Sequence, residues 1–133
     1  MISTRGRYGI RVMLDLARQE PGRYVPLKDI AARQDISKKY LEIIVKDLVK
    51  ADFICGISGK GGGYRLCRSP EDYSVGEILE QLEGTLSSVV CLAKDQNNCP
   101  RRDVCETLPL WLEFDQLVHN FFYSRKLSDL LEK

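Results

Sequence analysis

A mainly α chain with a small β-hairpin wing is what these 133 residues predict, a winged helix-turn-helix with a long C-terminal dimerisation helix behind it. Three observations carry that expectation. Two amphipathic helical segments are joined by the brief link Asp35-Ile36, the spacing of a helix-turn-helix. Directly after them, "GKGGG" separates two short apolar runs and reads as the tip of a hairpin. Finally, "LWLEFDQLVHNFF" places aromatic and aliphatic residues at three- and four-residue spacing near the end of the chain.

The elements follow in order. "GRYGIRVMLDLARQ" sets Tyr8, Val12, Leu14, Leu16 and Ala17 among polar residues at near-helical spacing, with Ser3 or Thr4 to cap the start and Pro21-Gly22 to end it. "PLKDIAARQ" makes a short second helix. In "SKKYLEIIVKDLVKADF", Ser37 is the N-cap and Leu41, Ile44, Val45, Leu48 and Val49 form the stripe expected to be buried. "ICGIS" and "YRLCR" are short strands around the glycine turn, whose residues tolerate positive φ. In "DYSVGEILEQLEG", Ser74 and Glu77 stand three apart as a capping box ahead of Ile78, Leu79 and Leu82, and Gly84 ends that fourth helix. Residues 1–70 are thus expected to be a winged helix-turn-helix DNA-binding domain, and residues 71–133 a cysteine loop and dimerisation helix region.

Charge supports this division. Residues 1–68 hold 14 Lys and Arg against 7 Asp and Glu, whereas residues 69–133 hold 6 against 12, so a formal net charge of +1 conceals a +7 half and a −6 half. A basic half suits a polyanion, because each Lys or Arg near a phosphate releases condensed counterions. At the start of the third helix, Ser37, Lys38 and Lys39 are placed to reach phosphates with the help of the helix N-terminus, and Tyr40 and Glu42 to face base edges. Lys60 at the wing tip and Arg65 beside it are expected to touch the DNA backbone or minor groove, although a flexible hairpin tip would carry the same residues.

No stretch approaches the roughly 18 apolar residues of a membrane span and no signal peptide is evident, so a cytoplasmic location is expected. Five cysteines in a reducing compartment read as thiols or metal ligands rather than a disulfide framework. Cys91, Cys99 and Cys105 lie in a polar loop, with Arg101 and Arg102 between the last two, and thiolates so spaced can converge on one soft metal centre. Structural zinc and unliganded thiols are the alternatives, though no Cys-x2-Cys pair and no second histidine is present. Cys55 and Cys67, on the hairpin strands, are expected to be packing residues, and His119, off the aromatic stripe, to be solvated. That stripe is expected to pack on the same helix of a second subunit, or else to fold back on its own domain.

Together, "STRGRYGIRVMLDLA", "PLKDIAARQDISKKYLEIIVKDLVKADFI", "GKGGGYRL", "YSVGEILEQLEG" and the three-cysteine loop before "LPLWLEF" resemble the bacterial iron-sulfur cluster regulator family of winged-helix transcription factors, the IscR, NsrR and CymR type. The resemblance implies a non-enzymatic homodimer that binds palindromic promoter DNA and senses through an iron-sulfur cluster, [2Fe-2S] favoured over [4Fe-4S], held by Cys91, Cys99 and Cys105. It implies a repressor of iron-sulfur assembly or sulfur metabolism genes. A CymR-like repressor without a cluster, controlled by a partner protein, is the alternative in that family, and a metal-binding interaction module without a DNA role is the alternative outside it. Leu108 stands where IscR-like members carry a histidine ligand, and Tyr8 where NsrR-like members carry an acid, so the fourth ligand is left open among Asp103, Glu106 and an acid of the partner subunit. Ile43 and Ser58 stand where the IscR-like members carry a glutamine and a wing arginine, so their operator sequence does not carry over to this chain.

Overall fold

In a computed structural model, which describes residues 2–89, 101 and 103–131, six helices and one antiparallel hairpin form a winged helix-turn-helix with a helical extension. Helix α1 (Thr4–Ala17) starts at Ser3, whose hydroxyl accepts from the Gly6 amide. It buries Val12, Met13 and Leu16. Helix α2 (Leu27–Gln34) follows Pro26, whose extended backbone is suited to the position before a helix. Its end is made by Asp35 in the left-handed conformation (φ 53, ψ 49), one of the few non-glycine types that visit that region routinely. The turn then plugs Ile36, 5% exposed, into the core and delivers Ser37 as N-cap of α3 (Lys38–Lys50), its hydroxyl 3.2 Å from the Tyr40 amide.

Along α3, Leu41, Ile44, Val45 and Leu48 are buried as the periodicity predicts. Val49 is not; at 37% exposed it borders the groove between α3 and the wing, because the buried arc already closes at Leu48. Strands β1 (Ile54–Ile57) and β2 (Gly63–Leu66) pair antiparallel from Ile54 opposite Leu66 to Ile57 opposite Gly63. Cys67 therefore falls just past the ladder rather than within the strand. Val25 adds itself to the outer side of β2 through reciprocal bonds with Tyr64 of 2.8 and 2.9 Å, which ties the segment before α2 to the wing. This contact requires Gly63: at φ 153, a β-carbon there would collide with the Val25 carbonyl.

Behind the wing, a 3₁₀ turn (Pro70–Asp72) leads to α4 (Val75–Glu83). The capping box is present in both directions: the Ser74 hydroxyl accepts from the Glu77 amide at 3.0 Å, and the Glu77 carboxylate accepts from the Ser74 amide at 2.9 Å. Tyr73, fully buried, donates its hydroxyl to the Phe53 carbonyl at 2.6 Å and accepts from the Cys67 and Arg68 amides, fastening the wing to the hinge. Burial pushes that phenol up, against the pull of the two amides. Helix α4 lies close on α1 because α1 presents Gly6 and Gly9, where a β-carbon would strike Glu83 and Leu82.

Helix α5 (Leu108–Tyr123) carries the long apolar pattern, and α6 (Leu127–Leu131) ends the described chain. The junction between them returns to the hinge: the Val75 amide donates to the Arg125 carbonyl and the Leu127 amide to that of Tyr73. Leu127, fully buried, joins one core with Val12, Leu41, Ile54, Tyr73 and Ile78, so residues from both halves of the sequence close it. No helix among the described residues is long and apolar enough to cross a membrane.

The single aromatic stripe expected on α5 divides in two. Leu108, Trp111, Asp115, Val118 and Phe122 are half-buried toward their own chain, with Phe122 against the Val75, Leu79 and Leu86 cluster. Leu110, Phe114, Leu117 and Phe121 form a second face at 58, 41, 63 and 52% exposure. Both sets repeat at three- and four-residue spacing, so they run side by side along one helix.

Candidate nucleic-acid interface

With the apolar arc of α3 turned inward, its opposite face is presented whole. Ser37, Lys38, Lys39, Tyr40, Glu42, Ile43 and Lys46 are all exposed. The helix N-terminus puts its unpaired amides and positive dipole end beside Lys38 and Lys39, a setting that favours phosphate. Next to this face, Glu42, Lys46, Val49, Ile57, Ser58 and Tyr64 line an open groove of about 500 Å³ between α3 and the wing. Lys60 is exposed at the wing tip, where the Gly62 amide closes a turn on the Gly59 carbonyl at 3.0 Å.

Arg65 sits elsewhere. The pleat turns it to the outer face of the hairpin, where its guanidinium lies 4.6 Å over the Tyr24 ring and donates to the Gly22 carbonyl at 3.4 Å. It steadies the loop before α2, while Lys38, Lys39, Tyr40 and Glu42 share the open side of α3.

A polar layer that sequence reasoning missed ties α1 to both α2 and α3. Tyr40 packs edge-on against Tyr8 of α1, ring centroids 5.7 Å apart. Arg11 lies 5.0 Å over the other part of that stack and donates through Nε to the Gln34 side chain at 3.2 Å, and also to the Gln34 carbonyl. One helical turn further on, Asp15 is 3% exposed, and both its carboxylate oxygens accept from Arg33, at 3.0 and 2.8 Å, with a third bond of 2.9 Å from Gln34. The hydrogen bonds with Asp15 raise the Arg33 pKa above its ordinary value. An ion pair between Arg5 and Asp47 joins α1 to α3 as well. The signal was available: Tyr8, Arg11 and Asp15 stand at i, i+3 and i+7, a polar line on one face of α1.

Of the three loop cysteines, Cys91 and Cys99 lie outside the described residues, as does Arg102. Cys105 is half-buried, its sulfur 3.4 Å from the Thr107 hydroxyl. That hydroxyl first, then the Thr107 and Leu108 amides and the Arg101 charge, hold its pKa below the usual thiol value. A thiol so placed is inclined to the thiolate form, which a soft metal requires. Asp103 and Glu106 are exposed nearby. The near end of the loop is anchored where the Ser88 amide donates to Asp115 of α5 at 2.9 Å. His119 is exposed and stacks on Tyr123 at 4.3 Å. Among the described residues, no group of three or more His, Cys, Asp and Glu is placed to hold a metal ion.

Residues 2–133, nearly the whole chain, match the family model Rrf2, described as an iron-dependent transcriptional regulator. The chain belongs to the Rrf2 family. A curated relative, Protein rrf2 of Nitratidesulfovibrio vulgaris, is 39% identical over 132 residues, covering 98% of this chain and 86% of that one. The transcriptional regulator IscR of Aliivibrio salmonicida is 32% identical over 130 residues, covering 98% and 76%. Among solved structures, CymR, the global cysteine regulator of B. subtilis, superimposes with a TM-score of 0.77 at 34% identity over 98% of this chain and 95% of that one. IscR of T. potens gives 0.78 at 33%, over 99% and 86%. An Rrf2 protein is a DNA-binding transcriptional regulator and not an enzyme, which agrees with the reading of the sequence and with the winged fold.

Proposed function

We propose that this Rrf2 protein is a homodimeric repressor of iron-sulfur assembly or sulfur metabolism genes, which reads palindromic promoter DNA through α3 and the wing and senses through an iron-sulfur cluster. The observation that carries the DNA reading is the open face of α3, where Lys38 and Lys39 flank the helix N-terminus and Tyr40 and Glu42 project beside a groove. In this reading, residues 1–70 bind DNA, and residues 71–133 sense and assemble. Phosphate contacts from Ser37, Lys38, Lys39 and Lys60 set the register, and Tyr40 and Glu42 discriminate bases. Arg65 serves the wing from behind through Tyr24.

For sensing, Cys91, Cys99 and Cys105 would hold the cluster, and the donor chemistry at Cys105 fits that role. When bound, such a centre supplies an oxygen- and redox-sensitive group on thiolate ligands. Thr107 lowers the Cys105 pKa toward the thiolate form that a metal ligand needs, Arg101 offsets negative charge, and Asp115 holds the near end of the loop against α5. Because the loop joins α4 to α5, its conformation bears on how two subunits place their α3 helices relative to fixed half-sites.

Anaerobic reconstitution with ferrous iron and sulfide tests the sensing reading. Wild type is expected to show broad visible absorption and stoichiometric iron and sulfide. Cys91→Ala, Cys99→Ala and Cys105→Ala should each lose both, while Cys55→Ala keeps them. A colourless, iron-free wild type would refute cluster sensing and favour the reading as a partner-controlled repressor of the kind to which the CymR neighbour belongs.

A further inference from the structure

The wing carries two cysteines, Cys55 and Cys67, that are not among the DNA contacts proposed above. Since Cys55 pairs with Arg65 across the ladder, Cys55, Arg65 and, by continuation of the pleat, Cys67 share the outer face of the hairpin. Ile54, Tyr64 and Leu66 occupy the opposite face, against the core. Packing was the role expected for both cysteines, yet Cys55 is half-buried, Cys67 is exposed, and their sulfurs are 2.8 Å apart. A disulfide bond is about 2.05 Å long, so closing one needs a movement of under ~1 Å. The backbone beneath is already fixed, with the Cys67 amide donating to the Phe53 carbonyl at 3.3 Å and to the Tyr73 hydroxyl at 3.1 Å.

From this geometry we infer that Cys55 and Cys67 form a reversible intramolecular disulfide across the base of the wing, with a hydroperoxide as the oxidant. The first sulfur attacks one peroxide oxygen; the O–O bond breaks, water leaves, and a sulfenic acid remains. The second sulfur then displaces that hydroxyl group, so that the S–O bond breaks, the S–S bond forms, and a second water leaves with the second thiol's proton. Two thiols give up two electrons and two protons, and hydrogen peroxide becomes two waters. Desolvation of the Cys67 sulfur, and then the hydrogen bond with Cys55, push its pKa up to about 11, so at neutral pH Cys67 attacks only as its proton passes to the departing hydroxyl, and the 2.8 Å separation of the sulfurs is what favours the step. Oxidation closes a ring around the wing tip that includes Lys60, and fixes how that tip leaves the hinge. It involves none of the three loop cysteines, so it stands or falls apart from cluster sensing.

Tryptic mapping of the full chain tests this. Lys60 and Arg65 lie between the two cysteines, so digestion separates residues 51–60 from residues 66–68 unless a disulfide joins them. The reduced protein, treated with one equivalent of hydrogen peroxide and then alkylated, is expected to yield the joined pair as the main form of both peptides. Dithiothreitol should release them, and neither Cys55→Ser nor Cys67→Ser should yield the pair. Separate alkylation of both cysteines after peroxide, separate oxidation to sulfinic acids, or linkage of either one to a loop cysteine would overturn the inference. The wild-type digest decides even where a variant fails to fold.

Discussion

Leu117→Asp is expected to convert the protein into a folded monomer. Leu117 is 63% exposed in the single subunit, so an aspartate there can keep its charge in water within the monomer. Around it, Leu110, Phe114 and Phe121 make an apolar band that opens into a cleft of about 670 Å³ bordered by Ile10, Leu79 and Phe122. In the proposed homodimer a second copy of the same band would pack on it across a two-fold axis, bringing each Leu117 near its symmetry mate. There an aspartate would bring two like charges into a desolvated interface without partners, a cost of several kcal/mol, on the order of 3 to 5. Sedimentation equilibrium should give about twice 15.2 kDa for wild type and 15.2 kDa for the variant, with unchanged far-ultraviolet dichroism. A variant that remains dimeric with normal stability would place the interface elsewhere.

Arg33→Ala should be among the most destabilising single changes outside the apolar core. Asp15 is 3% exposed and depends on Arg33 for two of its carboxylate bonds, whereas Arg33 is 41% exposed. Removing the arginine leaves a buried carboxylate with only Gln34 as side-chain donor, at a cost of about 3 kcal/mol or more. Removing the carboxylate is milder, because the arginine head can turn to water; Asp15→Ala should cost about 1 to 2 kcal/mol. In urea melts the Arg33 variant therefore unfolds at clearly lower denaturant than the Asp15 variant. Near-equal midpoints, or an Arg33 effect within about 0.5 kcal/mol, would mean that the pair behaves as an ordinary surface ion pair.

The contrast between these two sites shows what was legible in the sequence. Helices with one clean face were readable, α3 from its Leu41, Ile44, Val45 and Leu48 arc and α4 from its capping box, and the glycines located the wing. Helix α5 was readable as a helix, but its faces were not. Leu108, Trp111, Val118 and Phe122 lie beside Leu110, Phe114, Leu117 and Phe121, and when apolar residues cover so much of a helix, periodicity merges two neighbouring stripes. The polar layer that ties α1 to α2 and α3 was legible only in part: Tyr8, Arg11 and Asp15 mark one polar line on α1, but their partners were not readable. Asp15 and Arg33 are 18 residues apart, and only the crossing of α1 and α2 brings them to 2.8 Å. Likewise, the bridge from Val25 to Tyr64 and the burial of Leu127 are tertiary outcomes with no local signature. For the site, residue type and position at the N-terminus of α3 named the exposed face, but nothing in the local pattern separated Lys60 at the tip from Arg65 on the back of the hairpin.

Salt-dependent duplex binding of Lys39→Ala against wild type tests most directly the claim that the open end of α3 faces DNA. Anisotropy titrations of a labelled duplex need no knowledge of the operator, because phosphate contacts act on every sequence. Each lost phosphate contact lowers the slope of log affinity against log salt by about one, so a dimer carrying Lys39→Ala twice should lose about two, with weaker binding to every duplex. An unchanged slope together with unchanged affinity would contradict the assignment of α3 as the element that meets DNA.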